Sequence, residues 1–366
     1  MDDYVFLNKK FKKVLYLDPK EKTKKAVFGP LIFLITFIAS FSLYSYLPLQ
    51  FSSSAPLTAS IEENISQEVQ SYNNISATPT NDAKENLSPL LKDDFKRTNI
   101  LLIGVPGEPW PAPYLTDSIE VVSINEEKSN AFVVAIPRDL LVKIPGSNYE
   151  TRINALFSIE QNPSLLQEKI KEITGLNTHY WAIIDLQLIE ELINTIDGID
   201  VVVEEDIYDP KFPTINRGYE VFSISAGPQH LNGEIAIKYI RSRHQAEGDF
   251  SRIKRQQQVM DAIKTKILNN PQYLPKILNF FLKNKDKTNI GIAEIKTMIE
   301  LTKNFSDSSE NNSSRIKYFL LDAGKKDSLL VYGKTILGQN TASVLWPRAG
   351  KFDYSEIREK IKELEN

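Results

Sequence analysis

The stretch HYWAIIDLQLIEELINTIDGIDVVV, residues 179–203, decides the fold class because its hydrophobic period changes twice. Residues 178–184 have the pattern of a strand, 186–196 the spacing of an amphipathic helix, and 199–203 a strand pattern again. An Asp-Gly pair follows the helical segment and ends it. A strand, a helix and a strand in direct succession predict a domain in which helices cover a sheet.

The flanking sequence extends this pattern in both directions. Residues 99–105 (NILLIGV) form a continuous apolar run, as expected of a strand buried on both faces. We therefore predict an α/β domain, an α+β sandwich with a central mixed β-sheet covered by helices, over residues 96–365. The other predicted strands are residues 118–124, 131–136 and 318–321. The other predicted helices are residues 163–174, 233–240 (capped by Asn232), 250–268, 293–305 and 354–364.

The N-terminal region predicts a membrane anchor. Residues 26–49 carry no charge and are long enough to cross a hydrocarbon core of about 30 Å. Eight lysines precede this segment between positions 9 and 25, and residues 50–62 contain no Lys or Arg. The positive-inside rule therefore predicts a cytoplasmic basic tail (1–25), a transmembrane helix (26–49) and an extracytoplasmic remainder. The polar lead and the length of the apolar run favour an uncleaved anchor over a cleaved signal peptide.

Composition limits the possible chemistry. Residues 50–95 are rich in Ser, Asn, Thr, Glu and Pro, which predicts a disordered linker. The chain has no cysteine, which excludes disulfides, thiolate nucleophiles and Cys-ligated zinc. Its net charge of −3 and its predicted extracytoplasmic location argue against nucleic acid as a partner.

The stretch YIRSRHQAEGDFSRIKRQQQ, residues 239–258, concentrates arginine. Arg252 and Gln256 are four residues apart on a predicted helix and share a face. Arg241 and Arg243 point the same way if the chain is extended at these positions. Such a group suits bidentate capture of phosphate oxygens. The alternative is a solvated charged face, with Asp249 as the N-cap of the long helix.

Three further polar positions lie beside predicted strands. Arg138 and Asp139 follow Pro137 at the end of a strand, where sites in α/β folds collect, or they form only a surface salt bridge there. Asn154 lies in the segment TRINA and either caps a turn or binds a ligand. Asp117 precedes a strand and either ligates Mg²⁺ or ends a turn.

These motifs, in this order and behind a predicted anchor, resemble the LytR-CpsA-Psr family of bacterial cell-envelope proteins over about residues 97–362. The matching segments are NILLIGV, LTDSIEVVSIN, VAIPRDL, RINALF, HYWAIIDLQLIEELINTIDGIDVVV, AGPQHLNGEIAIKYIRSRH and GDFSRIKRQQQ. The resemblance implies a single-pass cell-membrane protein with an extracytoplasmic catalytic domain. It also implies a phosphotransferase that moves a glycopolymer from a polyprenyl-pyrophosphate lipid to a peptidoglycan hydroxyl. The lipid would lie in an apolar tunnel between sheet and helices, with Mg²⁺ (or Mn²⁺) at the tunnel mouth.

The resemblance also implies roles for individual residues. Asp117 would be a metal ligand, Asn154 would shape the site, and Asp249 would orient arginines or assist proton removal from the acceptor. The pyrophosphate would be held by Arg138, Arg241, Arg243, Arg252 and Gln256.

Two positions depart from the family pattern. Leu115 stands where the family often has Arg, and Val105, Pro106 and Gly107 follow the strand glycine where the family often has an acid. Glu108 is the candidate replacement for that acid. A polyprenyl-pyrophosphate hydrolase and a non-catalytic lipid-binding envelope protein therefore stay open as alternative functions.

Overall fold

The computed structural model describes residues 90–125, 127–128, 130–216, 218–242, 249–291, 294 and 316–365. The predicted basic tail, transmembrane helix and nearly all of the linker lie outside these residues, as does all but one residue of the predicted helix 293–305. Within the described ranges, no helix has both the length and the apolar character that a membrane crossing requires.

The described residues include thirteen strands and seven α-helices. The strands are β1 (Arg97–Gly104), β2 (Ser118–Asn125), β3 (Asn130–Ile136), β4 (Leu141–Lys143), β5 (Glu150–Arg152), β6 (Tyr180–Ile184), β7 (Ile199–Val203), β8 (Ile207–Pro213), β9 (Tyr219–Ile224), β10 (Gly227–Leu231), β11 (Ile316–Leu320), β12 (Leu330–Leu337) and β13 (Asn340–Pro347). The α-helices are α1 (Leu156–Glu160), α2 (Ser164–Thr174), α3 (Leu186–Thr195), α4 (Gly233–Arg241), α5 (Asp249–Asn269), α6 (Leu274–Lys283) and α7 (Ser355–Glu365).

A five-stranded mixed sheet forms the centre of the domain, in the order β11-β3-β2-β1-β6. Strand β2 runs antiparallel to both β1 and β3, whereas β6 is parallel to β1 and β11 is parallel to β3. This confirms the predicted central mixed sheet. Strand β7 pairs with β10 in a separate two-stranded sheet, so the stretch 179–203 contributes only its first strand to the central sheet.

The two faces of the sheet support two hydrophobic cores, because successive side chains of a strand point to opposite faces. Ile100 and Leu102 of β1 pack with helices α3 to α6 on one face. Leu101 and Ile103 pack with α1, α2 and α7 on the other. Each large apolar side chain buried in this way contributes about 1.5–3 kcal/mol to stability. The strands of the centre are therefore buried on both faces, as their continuous apolar runs predict.

Three hairpins were not predicted: β4–β5, β8–β9 and β12–β13. Strand β8 contains Pro210 and Pro213, residues that argue against a strand because proline cannot donate to the ladder. The hairpin tolerates them because it has only two strands and an irregular register between Asp209 and Phe212. Its inward face carries Phe212, which is buried.

The topology brings several chain segments to one edge of the central sheet. Strands β1, β3 and β6 all end at this edge, and β2 begins there, because β2 alone among these four runs in the opposite direction. The 105–117 loop, the residues after β3 and the start of α3 therefore lie at the same edge. Ligand sites of α/β proteins commonly lie at the carboxyl ends of strands.

Candidate functional site

Asp117 and Arg138 form an ion pair at this edge. The Asp117 amide donates to the carbonyl of Gly104 at 2.8 Å, which holds the start of β2 against the end of β1. Arg138 Nη1 lies 2.6 Å from Asp117 Oδ1. The two side chains are 49% and 44% exposed, so a charged ligand can reach both of them.

The residues around Arg138 extend this charged group. Arg138 Nε lies 3.9 Å from Asp139 Oδ2, and Asp139 Oδ1 lies 3.4 Å from Arg152 Nε. The Asn154 amide donates to the Arg138 carbonyl at 3.3 Å, and the Asn154 carbonyl accepts from Thr116. The structure thus brings Asp117, Arg138 and Asn154 together. The structure adds Arg152, which the hairpin β4–β5 places at the same edge. Because this hairpin was not predicted, the only sequence signal for Arg152 was its position in the TRINA segment, next to Asn154.

The 105–117 loop is held close to the start of α3. Gly107 has φ +74°, and a Cβ built on it would lie 2.5 Å from the Cβ of Asp185. Asp185 is buried and accepts from the Leu188 amide at 2.7 Å, which makes it the N-cap of α3. Lys287 Nζ lies 2.9 Å from Asp185 Oδ2. Sequence reasoning missed both partners, although an Asp directly between a strand and a helix is a typical N-cap signal.

Replacing Gly107 by alanine is expected to cost about 3 kcal/mol of unfolding free energy, from left-handed strain together with a steric clash. Gly146 provides a matched control, because its φ is +73° and nothing lies within 4 Å of an added Cβ. Gly146→Ala should cost only about 1 kcal/mol. Denaturant unfolding measures the loss of unfolding free energy in both variants, and the difference between the two losses is the cost of the clash with Asp185. Equal losses would show that the close contact of Gly107 with Asp185 does not limit the side chain at position 107.

Titration behaviour at this edge follows from burial and pairing. Burial lowers the pKa of Lys287, but its hydrogen bond to Asp185 and the charges of Asp185, Asp286 and Tyr114 together leave that pKa raised. Glu108 accepts a hydrogen bond from Tyr114 at 2.8 Å, and this bond is the main cause of the raised pKa of Tyr114. Glu108, the candidate replacement acid, is therefore exposed on the loop and engaged with a neighbouring phenol.

Arg241 approaches the same loop from the helical side. It is the last residue of α4, because the amphipathic helix continues through Arg241 to its C-cap Ser242. The extended backbone that would point Arg241 and Arg243 the same way is therefore absent at Arg241. The guanidinium carbon lies 3.6 Å from the ring centroid of Trp110 and 5.1 Å from that of Phe212. Arg241 thus contacts a ring of the 105–117 loop and a ring of β8.

Two buried contacts hold the end of α4. Ser242 Oγ donates to Asp209 Oδ2 at 2.9 Å, and both residues are buried. Arg255 of α5 donates from Nε to the Tyr239 carbonyl at 2.8 Å, and its Nη2 donates to the Ser242 carbonyl. These carbonyls lie at a helix C-terminus, where backbone acceptors lack intrahelical partners. Arg255 is itself buried, and burial lowers its pKa. Its position and its hydrogen bonds indicate that this arginine supports the fold.

The remaining predicted residues lie on or beside α5. Arg252 is half-buried and Gln256 is buried, one helical turn apart. Asp249 is the first residue of α5, but its side chain lies outside the described part of the chain, and Arg243 lies entirely outside it. The described contacts thus form two groups, one around Arg138 and one around Arg241, joined by the 105–117 loop.

The donor set at the edge is compatible with magnesium. Mg²⁺ commonly takes one or two protein carboxylates and completes its shell with water and substrate phosphate oxygens. Asp117 fits as one such ligand, in competition with Arg138 for its carboxylate. In the part of the chain that the structure covers, no group of three or more His, Cys, Asp or Glu side chains can hold a metal ion. Water and substrate oxygens would complete the shell of an ion held by Asp117.

Comparisons with known proteins give one family. The model of the LytR_cpsA_psr family matches residues 59–341. The regulatory protein MsrR of Staphylococcus aureus is 32% identical over 49% of this chain and 51% of its own length. A Bacillus subtilis protein named polyisoprenyl-teichoic acid–peptidoglycan teichoic acid transferase TagV is 30% identical over 49% of this chain and 46% of its own. The chain thus spans about half the length of the curated relatives it matches.

A solved structure agrees with the fold described above. The crystal structure of Bacillus subtilis TagV covers 74% of this chain and 98% of its own, at 23% identity and a TM-score of 0.50. The mixed sheet with its covering helices is therefore shared with that protein. Because the family model covers well over half of its length, this chain belongs to the LytR-CpsA-Psr family.

Proposed function

We propose that this protein transfers a phospho-glycopolymer from a polyprenyl-pyrophosphate carrier to a peptidoglycan hydroxyl. The observation that carries the proposal is that Arg138 and Arg241, more than a hundred positions apart in the sequence, flank the same 105–117 loop. Guanidinium groups that approach one loop from separate elements suit a ligand with concentrated negative charge, and a diphosphate is such a ligand. The printed name of TagV, a transferase of teichoic acid to peptidoglycan, supports the same reaction class.

In the proposed reaction, the hydroxyl oxygen of the acceptor attacks the phosphorus that bears the glycopolymer. A new P–O bond forms, the bond from that phosphorus to the bridging oxygen breaks, and polyprenyl phosphate leaves. The acceptor proton passes to Asp249 or to solvent, or Asp249 instead orients the arginines. Arg138, Arg241, Arg243, Arg252 and Gln256 hold the pyrophosphate, and Asn154 shapes its pocket.

The proposed catalysis is mainly electrostatic. Phosphoryl transfer spreads negative charge over the equatorial oxygens, and fixed cationic groups stabilise that charge in the transition state. Mg²⁺ (or Mn²⁺), held by Asp117 and by substrate oxygens, would add positive charge beside the leaving phosphate. Asp117 also keeps Arg138 in place before substrate arrives, since its carboxylate lies 2.6 Å from the guanidinium.

The proposal includes a membrane location. The uncharged segment 26–49 anchors the chain, and the linker 50–95 lets the domain reach both the lipid carrier and peptidoglycan. The polyprenyl chain is proposed to lie between the central sheet and helices α3 to α6, the side on which Arg241 and Arg252 are found.

The test uses the full chain in detergent with a polyprenyl-pyrophosphate-linked oligosaccharide, peptidoglycan and Mg²⁺. We expect phosphate-linked oligosaccharide on peptidoglycan together with free polyprenyl phosphate, and loss of both products when EDTA is added. Mass spectrometry of the peptidoglycan fragments and of the lipid measures each product.

Other outcomes identify the alternatives. Soluble phospho-oligosaccharide with no peptidoglycan product would indicate the hydrolase. Lipid that co-purifies with both the unsubstituted chain and an Arg241→Ala variant, without turnover by either, would indicate a non-catalytic lipid-binding protein. Either result would contradict the transferase.

A further inference from the structure

Arg241 lies close to two aromatic rings that come from different parts of the chain. The Trp110 centroid is 3.6 Å from the guanidinium carbon, which is a stacking distance, and the Phe212 centroid is 5.1 Å away. Phe212 is 1% exposed and packs against Phe222 at 5.6 Å between centroids, so its ring belongs to the core. Trp110 is half-buried, on the loop that also leads to Asp117.

Stacking of this kind has a directional consequence. A guanidinium is planar, and its N–H groups radiate from the edges of that plane. A ring on the planar face attracts the cation electrostatically and limits rotation of the plane, and it does not cover the edges that carry the N–H groups. A lysine at position 241 would have one flexible ammonium and no plane to hold, so stacking matters only with arginine there.

The loop is built to hold Trp110 in this position. The Trp110 amide donates to the Gly107 carbonyl at 3.0 Å, and the Gly107 amide donates to the Pro113 carbonyl at 3.0 Å. Gly107 in turn packs against the buried Asp185. Trp110 is therefore tied to the sheet edge, and a ring tied in this way can fix the side chain that stacks on it.

We propose that Trp110 is a positioning residue for anion recognition: its ring fixes the plane of the Arg241 guanidinium so that the N–H edge faces a diphosphate. The inference rests on the proposed function, because it takes the diphosphate of the carrier lipid as the ligand. It assigns a task to the Pro-Gly-Glu-Pro-Trp-Pro segment, where the chain departs from the family pattern.

The first test is the affinity of the full chain in detergent for inorganic pyrophosphate, measured by calorimetry. Trp110→Leu keeps an apolar side chain but cannot stack, and we expect it to weaken binding roughly tenfold. Trp110→Phe retains an aromatic face and should bind within about threefold of the unsubstituted chain. Equal affinities for all three proteins would contradict the inference.

A double-mutant cycle distinguishes positioning from a general structural effect. In an Arg241→Lys background, Trp110→Leu should have almost no further effect, since there is no guanidinium plane left to hold. If Trp110→Leu weakens binding tenfold in both backgrounds, Trp110 supports the site in some other way and the inference is wrong. Thermal unfolding of each variant shows whether the fold is retained.

Tryptophan fluorescence provides a second measurement, which does not use the Trp110→Leu variant and so holds even if that variant fails to fold. Pyrophosphate binding should change the emission of the unsubstituted chain and of a Trp181→Phe control, and this change should be lost in Trp110→Phe. An unaltered response in Trp110→Phe would contradict the inference. Failure of the unsubstituted chain to bind pyrophosphate would contradict the proposed function itself, and the inference with it.

Discussion

Replacing Arg138 by alanine is expected to lower the rate of the proposed glycopolymer transfer by about 100- to 1000-fold, because removing one group that stabilises transition-state charge usually costs that much and the proposal gives Arg138 this role. Stability should hardly change, because Arg138 is exposed and its pair with Asp117 spans two half-exposed side chains. Exposed ion pairs contribute only about 0–1 kcal/mol. The variant therefore separates an effect on activity from an effect on stability.

The measurement is initial rate with the polyprenyl-linked oligosaccharide, together with denaturant unfolding of the same preparation. Arg348→Ala is the matched control, because Arg348 is also exposed and paired with a carboxylate, Glu356, at 3.2 Å on the C-terminal helix. It should keep full activity. Transfer by Arg138→Ala at more than a tenth of the normal rate would remove Arg138 from the site.

Replacing Arg255 by methionine is expected to lower the free energy of unfolding by about 2–4 kcal/mol. Methionine fills similar space but cannot donate to the carbonyls of Tyr239 and Ser242, which would be left buried without these donors. The end of α4 would loosen, and pyrophosphate affinity would fall because Arg241 precedes Ser242. A stability loss below about 1 kcal/mol would contradict this structural role.

The same substitution one turn earlier on the same helix gives the comparison. Arg252→Met should weaken pyrophosphate binding while changing stability by less than about 1 kcal/mol, because Arg252 is half-buried and is proposed to face the ligand. Urea unfolding and calorimetry on both variants test the contrast. If the two variants lose the same unfolding free energy and the same pyrophosphate affinity, the proposed difference in role between Arg252 and Arg255 is wrong.

Much of the central sheet was predictable from local pattern. The apolar runs of β1, β2, β3 and β6 were expected within two residues of their observed bounds, because a strand buried on both faces has a continuous apolar sequence. Helices α2, α3, α4, α5 and α7 were predicted for a similar reason, since each has an apolar stripe at helical spacing. The short hairpins were missed because prolines, glycine and exposed residues interrupt the alternation of apolar and polar residues by which a strand is recognised.

The site was predictable only in part. Arg138, Asp117 and Asn154 were expected to act together, and the structure brings them together through the meeting of β1, β2 and β3. The contacts of Arg255 with the end of α4 were not predicted, because periodicity does not show which arginine of a helix meets a neighbouring helix end. The contact of Asp185 with Lys287 spans 102 positions and has no local signal.

The amino-acid sequence by itself determined the class of fold, the family and the set of charged residues available at the strand ends, because local hydrophobic period and residue chemistry are properties of short segments. The tertiary structure alone decided which neighbours the described arginines contact. It buries Arg255 against a helix terminus, stacks Arg241 on Trp110, and pairs Arg138 with Asp117. These choices depend on distances between segments far apart along the chain, and such distances exist only once the sheet and its helices have packed.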